Sequence, residues 1–421
     1  MIIVKSPPSL VLALALGLSA ATSAAAAPPR YHLVPIQIEG AENVFVADMN
    51  DAGLAVGYYV DADTFQNRPF LWDGQQAHRL PIPADREEGQ ATGINGNGQI
   101  VGYASTILKD GAVTTALLWN AADLAQYAVI EGPAGTQVNP DDINDAGVVV
   151  GLAATSGQFN AFEWSAERGF VDDGVPDHGP GTQAYWAGIN NAGVKLGGWY
   201  FPGTPSHATI GQAGVAGIAP IAAGVDDVAS KAYAANEAGL AVGEMDLAGN
   251  GKPVPVTFRD GTTTAVPGAL LGLAQGIAFD VNERGTIVGR AYDFTTLAFK
   301  AFVHVDGVSY DIAAQADNGT LYEYLLNAVA VAEDGTIAGT ARGRTSRSPA
   351  TSPCRCSPIR SSPTASRLAE AGCLAPPPLA RSAAAGGAGV SRRDRPSRRA
   401  GGRSPACQHQ LLPPPQTAGI Q

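Results

Sequence analysis

Short apolar runs alternate along the body of this chain with clusters of Asn, Asp and Gly, and no stretch holds a helical periodicity of useful length. Val44-Phe45-Val46-Ala47 precedes Asn50-Asp51-Ala52-Gly53, and Leu54-Ala55-Val56 leads from there to Gly57. The same order returns at Asn95, Asn144, Asn190, Asn236 and Asn282, with the second Gly at 102, 151, 197, 243 and 289. A seventh copy, Ala332-Glu333-Asp334-Gly335 then Gly339, has lost the Asn. Successive starts lie 45, 49, 46, 46, 46 and 50 residues apart, so the body is a repeat.

Each unit reads as four short strands. Asn and Gly tolerate positive φ, so Asn-x-x-Gly predicts a tight hairpin between the first two. The second Gly marks a bulge or a close backbone approach. A third run follows at Phe70-Leu71-Trp72, Leu117-Leu118-Trp119, Phe162-Glu163-Trp164, Ala208-Thr209-Ile210, Val256-Thr257-Phe258 and Phe302-Val303-His304. Asp-Gly turns at 73–74, 260–261 and 306–307 then lead to a fourth, such as Gln76 to Leu80 or Ser309 to Ile312. Four strands per unit fit the blade of a β-propeller better than an open β-solenoid or two stacked sheets. The expected fold is all-β, a seven-repeat propeller with four-stranded blades over residues 28–341. Tyr31-His32-Leu33-Val34-Pro35-Ile36 resembles the fourth-strand segment Ala77 to Ile82, so it is expected to close the last blade. That blade is expected to be incomplete. Its third strand falls due at 352–356, where Ser352-Pro353-Cys354-Arg355-Cys356 cannot serve.

The hairpin Ile143 to Gly151, followed by Ala161-Phe162-Glu163-Trp164, resembles the bacterial extracellular HAF repeat. The Ala-Phe part of that signature stands at Ala161-Phe162 and Ala301-Phe302, and the His survives only at His207-Ala208. The resemblance covers roughly residues 31–341. It implies an exported, propeller-like repeat protein and implies no reaction. Relatives of this kind often end in a Pro-Glu-Pro sorting motif with an apolar helix and a basic stop, and none of these is present here.

The ends of the chain differ from the body. Lys5, the apolar Leu10 to Leu18 and the small residues Ser19 to Ala27 have the layout of a signal peptide over 1–26, with cleavage expected around Ala24 to Ala26. Its apolar core is shorter than the roughly 20 residues that span a bilayer. No later segment reads as a membrane span, so the mature chain is expected to be secreted, extracellular or periplasmic, and monomeric. Residues 342–421 hold thirteen Arg, no Lys, and only Glu370 and Asp394 as acids. Two readings of this tail stand: an Arg/Pro-rich disordered extension, or the out-of-frame product of a GC-rich gene. The remaining residues carry 14 basic and 36 acidic side chains, a net −22 that argues against nucleic acid as a partner. All four Cys (354, 356, 373, 407) lie in the tail, so burial rather than disulfides must hold the body.

Candidate chemistry is sparse. Asp48 to Gly53 and Asp142 to Gly147 faintly resemble calcium loops, but Ala52 and Ala146 stand where an EF-hand needs its third oxygen ligand. Asp141-Asp142, Asp172-Asp173 and Asp226-Asp227 are acid pairs that adjacency alone does not place across a cleft. His32, His78, His178, His207 and His304 share no metal-ligand spacing. Trp72, Trp119 and Trp164 recur at one repeat position, as inter-blade packing or a sugar-binding ring. No catalytic, cofactor or metal residue is assigned. The leading expectation is a binding or structural module for a glycan or extracellular protein. The alternative is a carbohydrate-active enzyme using acids on one propeller face.

Overall fold

Six of the seven repeat hairpins are built around an Asn. In the first, the Asn50 N–H donates to the Leu54 carbonyl and the Gly53 N–H to the Asn50 carbonyl, both at 3.0 Å. Only the Gly is left-handed, at φ +76° in Gly53 and +87° in Gly335, so this is a tight turn closed by a Gly bulge. The Asn makes a different contribution from the expected tolerance of positive φ. Its Oδ1 accepts the N–H of the residue four further on, at 3.1 Å from Leu54 and 2.8 Å from Val194. The second Gly of the unit meets the inner strand edge-on. A Cβ on Gly57 would stand 2.0 Å from the Phe45 carbonyl oxygen, and one on Gly197 2.0 Å from that of Tyr185. The strand opposite bulges there, between Val46 and Asp48 and between Trp186 and Gly188.

The computed structural model describes residues 1–5, 27–108, 111–155, 157–177, 179–222, 224 and 228–343. Most of the leader, His178, Asp226-Asp227, the 352–356 window and the rest of the tail after Gly343 lie outside them. Among the described residues the strands form seven four-stranded antiparallel sheets arranged as a ring, the seven-bladed β-propeller expected. Blade one runs Ala41–Met49, Ala55–Asp61, Asn67–Trp72 and Ala77–Arg79, from the channel outward. Blades two to six begin at Glu88–Ile94, Thr136–Ile143, Gln183–Ile189, Ser230–Ala235 and Gln275–Val281. Every expected third run lies in the third strand of its blade. The Asp260-Gly261 and Asp306-Gly307 turns have positive φ at both residues, as two-residue hairpins require.

Blade seven differs from the expectation in one place. Tyr322–Val331 and Ile337–Gly343 are its inner strands, and Tyr31–Val34 closes it from outside as expected. The blade is nevertheless four-stranded. Ile2–Lys5, read from sequence as the start of the leader, takes the third position, with Ile3 opposite Ile337 and Leu33.

Seven hydrophobic clusters occupy the seven interfaces between neighbouring blades. Trp72 and Trp119 are buried there, and Trp164 packs against the cluster between blades two and three. The recurring Trp is therefore inter-blade packing. Polar bonds join the same interfaces. The buried Asn50 Nδ2 donates to the Asn95 carbonyl, and Asn95, Asn144, Asn190 and Asn236 repeat the link to the next blade, all at 2.8 to 3.1 Å. Asn282 donates to Ala332 at 3.1 Å, and Ala332 has no amide to pass on.

Removing one Asn leaves a turn N–H without its acceptor and takes one of two donors from the next blade's carbonyl, which keeps the N–H of its own turn Gly. Asn190→Ala is expected to cost about 1–3 kcal/mol in chemical denaturation. Ala332→Asn, which supplies a donor toward the Asn50 carbonyl, is expected to stabilise the ring by about 1 kcal/mol. An Asn190→Ala loss no larger than an exposed substitution elsewhere would show that the link is dispensable.

Candidate functional site

The inner strands bulge two residues before each Asn, and the bulge places two successive residues at the channel. The second of these is Asp48, Gly93, Asp142, Gly188, Ala234, Asp280 or Ala330, in blade order. The three Asp are latches between blades. Asp142 Oδ1 accepts from the Ile143 N–H at 2.7 Å, and its Oδ2 from Ile189 of the next blade at 2.8 Å. Asp48 reaches Met49 and Ile94 in the same way, and Asp280 reaches Val281 and Val331. Where the latch is missing the backbones come closer. A Cβ on Gly188 would lie 2.1 Å from the Tyr233 carbonyl oxygen.

These carboxylates crowd one channel. Burial among the strands pushes Asp142 up to about 8, and the nearby Asp48 charge adds to the rise. Burial likewise raises Asp48, and takes Asp280 to about 7. The backbone N–H donors pull each of them the other way. Asp141, the first residue of its bulge, makes no hydrogen bond to protein among the described residues. Its side chain is exposed within the channel, among the strands of the ring. Desolvation by the surrounding strands raises the carboxyl, to about 7.

The calcium-like runs are thus latches and turns, with both Asp48 and Asp142 oxygens taken by backbone donors. Asp172-Asp173 lies on the outer strand of blade three. Asp172 holds Asn160 at 2.9 Å, and Asp173 is buried in a charge cluster with blade four. There Lys195, fully buried, donates to Asp173 Oδ2 at 2.5 Å and to Glu163 Oε2 at 2.9 Å, beneath the Trp186 ring. Trp186 Nε1 also donates to Asp173 at 2.7 Å, and Arg168 pairs with Glu163. Burial raises Asp173, while the Lys195 ammonium holds that rise back.

The described histidines are dispersed. His32 pairs with Asp317 at 2.8 Å, His78 with Asp73 at 2.7 Å, His304 with Ser309 at 2.9 Å, and His207 is buried against Trp199. Among the described residues no group of three or more His, Cys, Asp and Glu is placed to hold a metal ion. Two cavities, of about 260 and 310 Å³, each have a single carboxylate in their lining, Glu88 and Asp123.

Sequence pairing missed a second polar group. Tyr233 donates to Glu244 at 3.0 Å, and Arg290 lies over the rings of Phe279 and Tyr292 at 5.6 and 5.1 Å. Burial raises Glu244 against the pull of Lys231, Tyr233 and Arg290. The signal was present in the repeat. The residue after the second Gly is Tyr58, Tyr103, Leu152, Gly198, Glu244, Arg290 or Thr340, a position where the copies disagree.

Raised folded-state values for the channel acids give a definite sign. The folded chain holds more protons than the unfolded chain between about pH 4 and 8, so their contribution is full below about 4 and is lost as pH rises through about 8. Asp141→Asn is expected to flatten the fall in unfolding free energy between pH 5 and 8.5, measured by denaturant titration at each pH. Equal slopes in the two proteins would contradict this. Lys195→Met strands two buried carboxylates and is expected to cost about 3–5 kcal/mol in the same assay.

No protein-family model matches this chain, and no curated protein matches it. Solved propellers are similar at low identity. The β-propeller domain of the trilobed protease from Pyrococcus furiosus is 13% identical over 68% of this chain and 86% of that one, with a TM-score of 0.44. TolB from Acinetobacter baumannii is 10% identical over 69% and 66%, with a TM-score of 0.40. A puromycin hydrolase is 13% identical over 62% of this chain, with a TM-score of 0.43, and the match spans 43% of its length.

Proposed function

We propose that this chain is an exported binding propeller of the HAF-repeat kind, which recognises an extracellular protein through the face opposite its Asn hairpins. The observation that carries the reading is a loop that appears twice. Between the second and third strands of blade one, Asp61 Oδ1 accepts from the Thr64 N–H and hydroxyl at 2.9 Å, and the Phe65 N–H donates to the Asp61 carbonyl. Phe65 is thereby held at φ +58° and is 71% exposed. In blade six, Asp293 Oδ1 accepts from Thr295 at 2.8 Å, and Leu297 stands at φ +55° and 64% exposed.

The left-handed region costs a bulky residue roughly 1–2 kcal/mol. Spending that on the two most exposed large apolar side chains is what a recognition loop does. Leu247, Phe294 and Leu321 are exposed on the same face. From the exposed Phe294 a continuous aromatic series runs through Tyr292, Phe299 and Tyr324, with Arg342 over Tyr324 at 5.8 Å. Exposed Leu and Phe set among aromatics and Arg suit a protein surface. Export is supported by the leader pattern at Lys5, Leu10 to Leu18 and Ser19 to Ala27. The enzyme reading has less support, because three of the four channel Asp are occupied as latches.

A photo-crosslinking side chain at position 65 or 297 is expected to capture one saturable protein at the surface of the exporting cell. The same group at Val215 or Val308, on the outer strands, should capture none. Phe65→Ser with Leu297→Ser should abolish capture and leave the melting temperature unchanged. Retention on chitin, cellulose or peptidoglycan that both substitutions leave intact would replace the protein partner with a glycan. Glycan hydrolysis lost in Asp141→Asn would establish the enzyme instead.

A further inference from the structure

We infer that Lys195 and Asp173 condense to an amide cross-link between blades four and three, a self-modification in which Glu163 carries the proton. The three side chains stand on three strands. Glu163 and Asp173 lie on Gln158–Ser165 and Gly169–Gly174, the third and fourth strands of blade three. Lys195 lies on Val194–Tyr200, the second strand of blade four. The side chains of Lys195 and Asp173 are fully buried, and that of Glu163 nearly so. Lys195 Nζ is 2.5 Å from Asp173 Oδ2 and 2.9 Å from Glu163 Oε2. A nitrogen that close to Oδ2 lies about 3–3.5 Å from the carbon that bears it, the separation of a near-attack pair.

The two carboxylates are not equivalent. Glu163 is already occupied: Oε1 accepts from Arg168, and the Gly214 N–H reaches Oε1 and Oε2 at 3.1 and 3.0 Å. Asp173 Oδ2 accepts from Trp186 Nε1 at 2.7 Å as well as from Nζ. Its Oδ1 is buried with no hydrogen-bond partner among the described residues. An orphaned oxygen is costly to a carboxylate, and burial raises Asp173 toward its neutral form. A neutral carboxyl is the form an amine attacks. The Trp186 N–H, fixed on Oδ2, is placed to stabilise the oxygen that becomes negative during attack. Nζ stands over the Trp186 ring, 5.2 Å from its centre. A Cβ at Gly211 would meet that ring at 2.7 Å and Lys195 Cε at 3.2 Å, so the chain closes tightly over both.

The step balances without a co-reactant. The Lys195 ammonium passes one proton to Asp173, leaving an amine and a carboxylic acid. Nζ then attacks Cγ. Glu163 Oε2 takes a second proton from the nitrogen and delivers it to the Oδ1 hydroxyl, and the Cγ–Oδ1 bond breaks. One amide and one water result, and two buried charges disappear. Holding an ion pair in the interior is costly, which favours the product. The folded interface supplies the orientation that a free amine and acid lack. The bond would tie the outer strand of blade three to blade four, in a body that has no Cys for a disulfide. The inference is independent of the proposed partner of the loop face.

The full chain, folded and held at neutral pH, is denatured and digested with chymotrypsin, which cuts after Tyr185 and Trp186 and so separates the two positions. Mass spectrometry should find a branched peptide joining Asp173 to Lys195, lighter by one water than its two arms together. Trypsin should no longer cut after Lys195. Lys195→Arg should give linear peptides only. Glu163→Gln should condense at least about a hundredfold more slowly, read as branched peptide against time. A wild-type map with both residues unmodified would overturn the inference. So would a water lost within Asp173-Gly174 alone, the mark of a succinimide, or a branch from Glu163 in place of Asp173. An unchanged rate in Glu163→Gln would remove the proton carrier and with it the step. If that variant does not fold, Glu163→Asp, whose shorter carboxylate is drawn back from Nζ, should be slowed in the same way, while the wild-type map decides the bond.

Discussion

One side-chain amide sets the geometry of this ring. The Asn that opens six of the seven hairpins uses Oδ1 to hold its own turn and Nδ2 to hold the next blade, so the turn and the interface share one residue. A propeller blade buries both faces against neighbours, and apolar packing alone would let blades slide or tilt. A buried amide whose partner is a fixed backbone carbonyl tolerates neither, because a misplaced blade leaves the amide N–H unpaired. Spacing varies by several residues between units, and the loops absorb that variation while the Asn position does not move.

Two further rings follow from this constraint. Inside it, Asp48, Asp142 and Asp280 latch three interfaces, and Gly or Ala at the other four lets the backbones approach. Outside it, the residue after the Asn takes part in a second relay. The Gly96 N–H donates to Asp145, Asp145 to Asn191, Asn191 to Glu237, Glu237 to Glu283, Glu283 to Glu333, and Glu333 to Asp51. This outer relay spans the junction from blade seven to blade one, where Ala332 interrupts the Asn series. The acidic composition of the body, which suggests solubility when read as charge alone, is therefore partly architectural: carboxylates serve as acceptors for turn N–H groups.

The blade count, the hairpins, the third strands and the closing role of Tyr31–Val34 were legible because each is a local pattern repeated at fixed spacing. The latches were not. Asp142 and Asp48 look like calcium or acid-pair residues in sequence, and only the bulge at Pro140–Asp142 turns the carboxylate toward Ile189 of the next blade. The Lys195 cluster was equally hidden, since Glu163, Asp173 and Lys195 meet across 32 positions of chain with no motif between them. The strained Phe65 and Leu297 are a third case. Asp61 and Asp293 announce turns, but a positive φ on a large apolar residue is a consequence of the loop closing and leaves no signature in composition.

The same repeat that fixes the interior divides the two faces of the molecule. On the hairpin face, the side chains after each Asn are spent on the relay between blades, so substitutions there act first on the ring. On the opposite face the loops between second and third strands of blades one and six carry no such duty: their anchors, Asp61 and Asp293, satisfy only their own turns. Loops that hold no neighbouring blade can change their side chains without loss of closure, and these two carry the exposed Phe65, Phe294 and Leu297. The separation of structural acids from exposed apolar loops is why we propose recognition for that face, and why the channel, despite four carboxylates, reads as the frame that holds it.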